Sequence, residues 1–522
     1  MFVPLSPLRC LYRAVDLFGS KIGVVSGTTR LTYAEFGERC ERLAHGLISE
    51  GVQPGDRVAF LSFNTNELLE GYYGAPLARG IAMPLNVRLT PVELAAILCH
   101  AEPRVLIYEP DFLPIVERLR ETCPAVHCWV QTGEPYEQFL QRGRIERPDL
   151  FSLDETAICE LFYTSGSTGI PKGVMLSHRT LYLHAYAVAA CFTYDDNAVE
   201  LHTIPLFHAN GWGRPQAATF MGLRQVMVRR FEPAHVLRLI QEERATGMSL
   251  VPTMAGALLN CPEIGKFDLS SMKEINMGGA ASSPELIARM EQAFRCRVQA
   301  GYGLTETSPV ATSGRSKSTV HYQGEQDRLD HLAMAGWPLP GCEIRVVDLH
   351  GKDVPRDMEA IGEVVIRGDL VMDGYYKESK ATADAIIDGW LHTGDMAMWD
   401  EENYIHIVDR KKDIIISGGE NISSIEVERA IFSHPAVLEC AVVAAPDEQW
   451  GEVPAAFVVR KPGHTLEEPE LCEYLRGRIA KFKIPRRFQF ADQPLPKTGT
   501  GKILKRELRE AFWKGRERRV QG

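Results

Sequence analysis

The sequence lacks any apolar run of about 18 residues, so it offers no membrane-spanning helix. Its opening, MFVPLSPLRCLYRAVDLFG, is too broken by proline, arginine and aspartate to read as a secretory signal. Paired cysteines are missing as well. The 12 cysteines are scattered singly, and the closest pair, Cys123 and Cys128, has no second pair or histidine cluster to complete a zinc site. They read as reduced residues of a cytoplasmic protein. Positive charge is in short supply: 58 Lys and Arg against 68 Asp and Glu leave a net charge of −10. That balance argues against a general nucleic-acid or anionic-membrane binder, although basic clusters near the C-terminal end can still serve one anionic ligand. Internal repeats and low-complexity segments are also absent.

What is present is an ordinary globular composition, 45% hydrophobic and 24% charged, over 522 residues. That length predicts two or three domains. Thr32 and Glu35 form a capping box before apolar residues at helical spacing, and Thr90, Pro91 and Glu93 open another helix. Between and after these lie the strand-like RVAFLS, IAMPLN and RVLIYE. This alternation predicts a helix-covered parallel sheet. Three later strands, AICELFYT, KEINM and RVQAGYG, each empty into a glycine- or hydroxyl-rich loop. Ligands of open α/β sheets bind at such carboxyl ends, so the three loops are expected to face one cleft. The first loop is read as leading into a helix, RTLYLHAYAVAAC. From about Gly336 to Val408 short β segments predict a small β subdomain. A boundary at DRKKD divides an N-terminal domain, 1–409, from a C-terminal α+β domain, 410–522.

The stretch LFYTSGSTGIPKGVMLSH, residues 161–178, is built to hold phosphate. It is not a P-loop, which needs Gly-Lys followed by Ser or Thr, since Lys172 is followed by Gly173 and Lys502 by Ile503. Nor is it a hydrolase elbow, because Ser165 stands two residues before Ser167 where glycine is required. The kinase motifs are absent.

YTSGSTGIPKG instead resembles the phosphate loop of the adenylate-forming superfamily, specifically its AMP-dependent acyl-CoA synthetase branch. GYGLTE (301–306), WLHTGD (390–395), VDRKKDIIISGGENISSIEVE (408–428) and PKTGTGK (496–502) match the other motifs of that family in order. The resemblance covers most of the chain. It implies an α/β protein with a large N-terminal domain of helix-covered sheets, a small β subdomain and a small mobile C-terminal domain. It implies two half-reactions: a carboxylate attacks the α-phosphate of ATP, giving acyl-adenylate and pyrophosphate, and a thiol, usually that of coenzyme A, then displaces AMP. Domain rotation separates the two.

Carried onto this sequence, the resemblance assigns Thr164, Ser165, Gly166, Ser167, Thr168, Gly169 and Lys172 to the β- and γ-phosphates. Thr305 and Glu306 match the phosphate-binding hydroxyl and the magnesium-binding carboxylate. Gly279, Ala280, Ala281, Gly301, Tyr302 and Gly303 match the adenine site, and Asp395, Ile407 and Arg410 the ribose side. Lys502 matches the catalytic lysine, which stabilises charge at the carboxylate and α-phosphate, with Lys497 a weaker candidate. Lys412 matches the hinge. Ser417, Gly418, Gly419, Trp450, Lys483 and Arg487 are assigned to coenzyme A, and His208, Trp212, Gly213, Val251, Gly303 and Pro309 to the acyl pocket. No charge lies in the loops expected to line that pocket, so an apolar acid is favoured, and Trp212 suggests short- or medium-chain fatty acids. Transfer to a carrier-protein thiol and activation of long-chain or aryl acids remain alternatives. The resemblance also suggests a homodimer.

Overall fold

The structure is a computed structural model and describes residues 3–164, 171–192, 195–417, 420–491, 493–497 and 503–513, without the side chains of residues 209, 210, 212, 420 and 421. The chain divides into two compact units. The first comprises Met1–Ile344, Ile366–His392 and Glu401–Ile405; the second comprises Arg345–Val365, Thr393–Asp400 and His406–Gly522.

The first unit holds two large sheets. In the seven-stranded one, Ile158–Thr164, Ile81–Pro84, Arg57–Leu61, Val105–Tyr108 and Cys128–Gln131 lie side by side and parallel. The helices between them begin where the sequence places them. Thr32 and Glu35 exchange both capping hydrogen bonds at Tyr33–Ser49, and Thr90 and Glu93 do so at Pro91–Ala101. The helix expected after the phosphate loop is present, with a strand before it that the sequence reading does not separate from the loop. The phosphate-loop strand does not pass straight into a helix: Lys172–Ser177 returns antiparallel beside Ile158–Thr164, and the helix follows at His178–Cys191. Val174 and Leu176 alternate into the core with the period of two of a strand, in a stretch the sequence reading assigns to the loop.

The nine-stranded sheet runs Trp337–Pro338, Val310–Ser313, Arg297–Gly303, Glu274–Met277, Gly247–Leu250, Val199–His202, Arg224–Met227, Ile22–Ser26, Thr29–Thr32. One face is apolar. Leu201, Met248, Leu250, Ile275, Met277 and Val298 bury against Leu237, Ile240, Ile287, Met290 and Phe294 of the covering helices. Each such side chain contributes about 1.5–3 kcal/mol of burial. Alternation along the strands puts Glu200, His202, Ser249, Glu274, Asn276 and Gln299 on the opposite face, and all six are buried as well.

The stretch read as a β subdomain forms a five-stranded sheet of Cys342–Val347, Gly362–Gly368, Trp390–Trp399, Ile386–Ile387 and Ile405–Arg410. Its residues are divided between the two units. The rest of the second unit is an α+β body. Val437–Asp447 and Gly451–Arg460 form a long antiparallel pair, flanked by Ile415–Ser417 and Arg487–Ala491. Helix Ser424–Phe432, capped by Ser423 as its sequence suggests, buries Val427 and Ile431 with Ile415, Val442 and Val458.

Candidate active site

Thr164 and Lys172 stand opposite each other at the end of the β-hairpin, so Ser165, Gly166, Ser167, Thr168 and Gly169 belong to its connection and lie outside the described residues. The Lys172 ammonium sits 4.9 Å from the centre of the Tyr375 ring. The Tyr375 hydroxyl donates to Glu306 Oε1 at 2.8 Å. Burial, reinforced by the Glu306 charge, pushes the Tyr375 phenol well up, which keeps it a donor. Glu306 is fixed by its backbone too, its carbonyl accepting from Met372 N at 2.9 Å. Thr305 and Glu306 occupy a 3₁₀ turn stapled by buried Thr307, whose Oγ1 lies 3.0 Å from the Leu304 carbonyl and 2.8 Å from that of Pro309. The sequence reading brought Lys172 and Glu306 to one site but missed Tyr375, the side chain that joins them.

The adenine-side residues emerge together. Met277 is paired with Ala300 on adjacent parallel strands, so Gly279, Ala280 and Ala281 leave the sheet beside Gly301, Tyr302 and Gly303. Gly279 has φ of 73°. A Cβ on Gly303 would lie 1.7 Å from the Pro309 carbonyl oxygen, which leaves no residue but glycine there.

On the acyl side, exposed His208 is the N-cap of helix Ala209–Met221. The Trp212 side chain lies outside the description. Gly213 has φ of 70°, and a Cβ on it would stand 2.1 Å from His184 Cε1 and 3.1 Å from the Ser308 carbonyl oxygen. Gly213, Gly303, Pro309 and His184 therefore converge. His184 is buried, burial pushes its pKa down to about 3, and its Nε2 accepts from Val310 N at 3.2 Å. Val251 caps the neighbouring helix Pro252–Leu259. Behind Gly213 the structure adds what the sequence reading overlooked. Buried Arg214 donates through Nε to Glu200 Oε1 at 2.9 Å and through Nη2 to Oε2 at 3.3 Å. Neither is in a loop, which is why a search of loops passed over them.

The remaining candidates belong to the second unit. Arg410 Nε lies 2.7 Å from Oδ1 of buried Asp395, and Ile407 is half-buried on the strand that carries Arg410. The Lys412 carbonyl accepts from Arg509 at 2.7 Å. Ser417 is buried at the end of its strand; Gly418 and Gly419 lie outside the described residues. Trp450 is half-exposed, with the Arg486 guanidinium 5.1 Å from its ring centre. Lys483 is engaged by Glu426 at 2.7 Å, and Arg487 donates to the Pro446 carbonyl at 2.8 Å. Lys497 is ion-paired with Glu439. Lys502 falls outside the described residues, but Lys497 and Ile503 form a β-bridge on either side of its segment. No cluster of three or more His, Cys, Asp or Glu able to hold a metal occurs among the described residues.

Comparison with known proteins gives a consistent result. The family model for AMP-binding enzyme matches residues 11–376, and that for the AMP-binding enzyme C-terminal domain matches 426–502. A long-chain-fatty-acid–CoA ligase of Thermus thermophilus is 41% identical over 518 residues, covering 96% of this chain and 94% of its own. A feruloyl-CoA synthase from an Amycolatopsis species is 39% identical over 93% of this chain and 95% of its own. Among solved structures, the anthranilate CoA ligase AuaEII in complex with anthranoyl-AMP superposes with a TM-score of 0.87 at 26% identity, covering 98% of each chain. ATP-bound MatB from Rhodopseudomonas palustris gives 0.85 at 28% identity, covering 97% of this chain and 99% of its own.

Proposed function

The chain belongs to the AMP-binding enzyme family and is an AMP-forming acyl-CoA ligase using ATP and coenzyme A, and from that premise we propose how its residues divide the work. The observation that carries the assignment is the Lys172–Tyr375–Glu306 arrangement. Lys172 and the 164–169 sequence take the β- and γ-phosphates, since hydroxyl and glycine residues offer the donors that such charge needs. Glu306 suits magnesium. One of its oxygens is taken by Tyr375, and no hydrogen bond among the described residues reaches the other. A hard cation bound mainly by phosphate oxygens needs only one or two carboxylates, so Glu306 without a larger cluster among the described residues fits. When bound, the ion screens the triphosphate during displacement. Gly279–Ala281 and Tyr302 flank the adenine, and Asp395 with Arg410 takes the ribose.

Lys502 is assigned to the charge that develops as the carboxylate joins the α-phosphorus and pyrophosphate departs. For coenzyme A, Trp450 stacked with Arg486 is favoured over Lys483, whose ammonium is already engaged by Glu426. His208 stands at the acid's carboxylate. The acid is a short- or medium-chain one.

The test is AMP and acyl-CoA formation across saturated acids from acetate to palmitate, with magnesium-dependent ATP–pyrophosphate exchange read in parallel. Lys502→Ala is expected to lose at least about a hundredfold in exchange. Exchange with no acid at all would overturn the reading.

A further inference from the structure

The polar face of the nine-stranded sheet is an unusual wall for a fatty-acid site. It is hydrogen-bonded within itself. Gln299 Nε2 donates to Asn276 Oδ1 at 3.0 Å, Asn276 Nδ2 to Glu274 Oε1 at 3.0 Å, and His202 Nε2 lies 3.0 Å from Gln225 Oε1. At its centre Arg214 and Glu200, with side chains 3% and 1% exposed, form a two-point ion pair. Gly247 leaves room for it: a Cβ there would lie 3.0 Å from Glu200 Oε2.

The position of this pair gives it a consequence for substrate. Arg214 directly follows Gly213, whose missing side chain lets His184 and the Ser308 carbonyl pack closely against its backbone. On its other side the Arg214 guanidinium lies 4.6 Å from the centre of the Phe192 ring. Phe192 and Gln299 in turn line a cavity of about 800 Å³ of mixed character, bounded by apolar Val298, Leu332 and Trp337 and by charged residues such as Glu291 and Arg328. The ion pair thus stands between the acyl side of the site and an adjoining hollow. A methylene tail offers neither charge a partner, and pushing one charge aside leaves the other buried and uncompensated.

Resting on the ligase reading above, we propose that the Arg214–Glu200 pair is the partition that sets the upper length of the acyl chain, admitting short and medium acids and refusing long saturated ones. Space for a longer tail exists beyond it, in the Phe192 cavity, and is closed off by the two charged side chains.

The experiment compares the full-length wild type with the double variant Arg214→Met/Glu200→Leu, which exchanges the pair for apolar groups of similar size. A buried pair replaced in this way is often tolerated. The kcat/KM for butyrate, octanoate and palmitate is measured, together with KM for ATP and the melting temperature. The palmitate-to-butyrate ratio is expected to rise at least about a hundredfold, since each methylene accommodated is worth tenfold or more. The change should appear in KM for the acid and not in KM for ATP. Phe192→Ala, which thins the partition from the cavity side and keeps the ion pair, is the second variant and should move the ratio the same way by less. A folded double variant with an unchanged ratio, or a wild type that already prefers palmitate, overturns the proposal. Wild type that exchanges pyrophosphate with no acid overturns the ligase reading instead, and this inference with it.

Discussion

Lys505→Met should weaken the second unit, and the size of the loss should depend on pH. Lys505 lies at the start of helix Lys505–Trp513, three residues past Lys502. Its ammonium is 2.8 Å from Glu428 Oε1 and 2.6 Å from Ser424 Oγ, and Asp409 accepts from Ser424 N. Burial raises the pKa of both Glu428 and Asp409 even with Lys505 beside them, and the two carboxylates raise that of Lys505 against its own burial. The side chains of Lys505 and Glu428 are only 18% and 19% exposed. Removing one partner of a buried pair costs about 3–5 kcal/mol, against about 0–1 for a surface pair, so a loss of roughly 3 kcal/mol is expected at neutral pH. That lowers the melting temperature by on the order of 10 °C. The pH dependence follows from linkage. Without Lys505 both carboxyls titrate still higher when folded, so the folded variant holds protons that the unfolded chain releases. Its stability therefore falls as pH rises from the ordinary carboxylate pKa of about 4 to the raised folded value, and is regained on acidification. The contribution of Lys505 itself is full below its ordinary pKa and is lost above the raised one. The gap between variant and wild type should be widest from about pH 7 to 9 and narrow towards pH 5. Urea unfolding at several pH values, followed by a signal local to the second unit, gives the curve. Because Leu504 N donates to the Pro496 carbonyl at 2.8 Å, helix and bridge hold both ends of the Lys502 segment, so ATP–pyrophosphate exchange should fall as well. A gap that stays constant with pH, or a loss under about 1 kcal/mol, would refute the reasoning.

Tyr375→Phe removes the donor to Glu306 and keeps the ring beneath Lys172. A hydrogen bond to a charged group is worth about 1.5–3 kcal/mol, so the apparent affinity for magnesium–ATP should drop about tenfold or more, read as KM in the exchange assay at varied magnesium. The buried histidines make the first unit acid-sensitive: burial takes His184 down to about 3 and His178 to about 4. Both are neutral when folded and protonate more readily when unfolded. Stability should therefore be full above about pH 6.5 and be lost on acidification below it, by on the order of 1.4 kcal/mol per pH unit for each group. Urea titrations at pH 7 and pH 5 check this, and His184→Gln should flatten the slope.

Much of the fold was legible because its signals are local. Thr32 with Glu35, Thr90 with Glu93 and Ser423 with Glu426 cap helices using atoms within three residues, and the strand motifs bury as their apolar residues suggest. The hairpin return at Lys172–Ser177 was not legible, since a short stretch with two buried positions fits either period until its partner strand is known. Which strand joins which sheet was hidden for the same reason: Ile22–Ser26 pairs on one side with its neighbour Thr29–Thr32, but on the other with Arg224–Met227, some 200 residues away. The site divides along the same line. Lys172, Thr305 and Glu306 lie in motifs whose order announces them. Tyr375 and the Arg214–Glu200 pair act through partners 69 and 14 residues distant, and nothing in their immediate neighbours marks them. The glycines are the instructive middle case. Gly213 and Gly303 are assigned to the acyl pocket by resemblance alone, and the structure makes them sterically obligatory, one against His184 and the other against the Pro309 carbonyl. What the motifs could not convey is therefore the shape of the acyl side. Two absent side chains let His184 and the Pro309 carbonyl pack in, and a buried pair of charges, invisible to a search for apolar lining, closes it. Substrate range in such a chain is set by residues that catalysis does not require, so strong resemblance in the phosphate-binding motifs carries no information about which acid is taken.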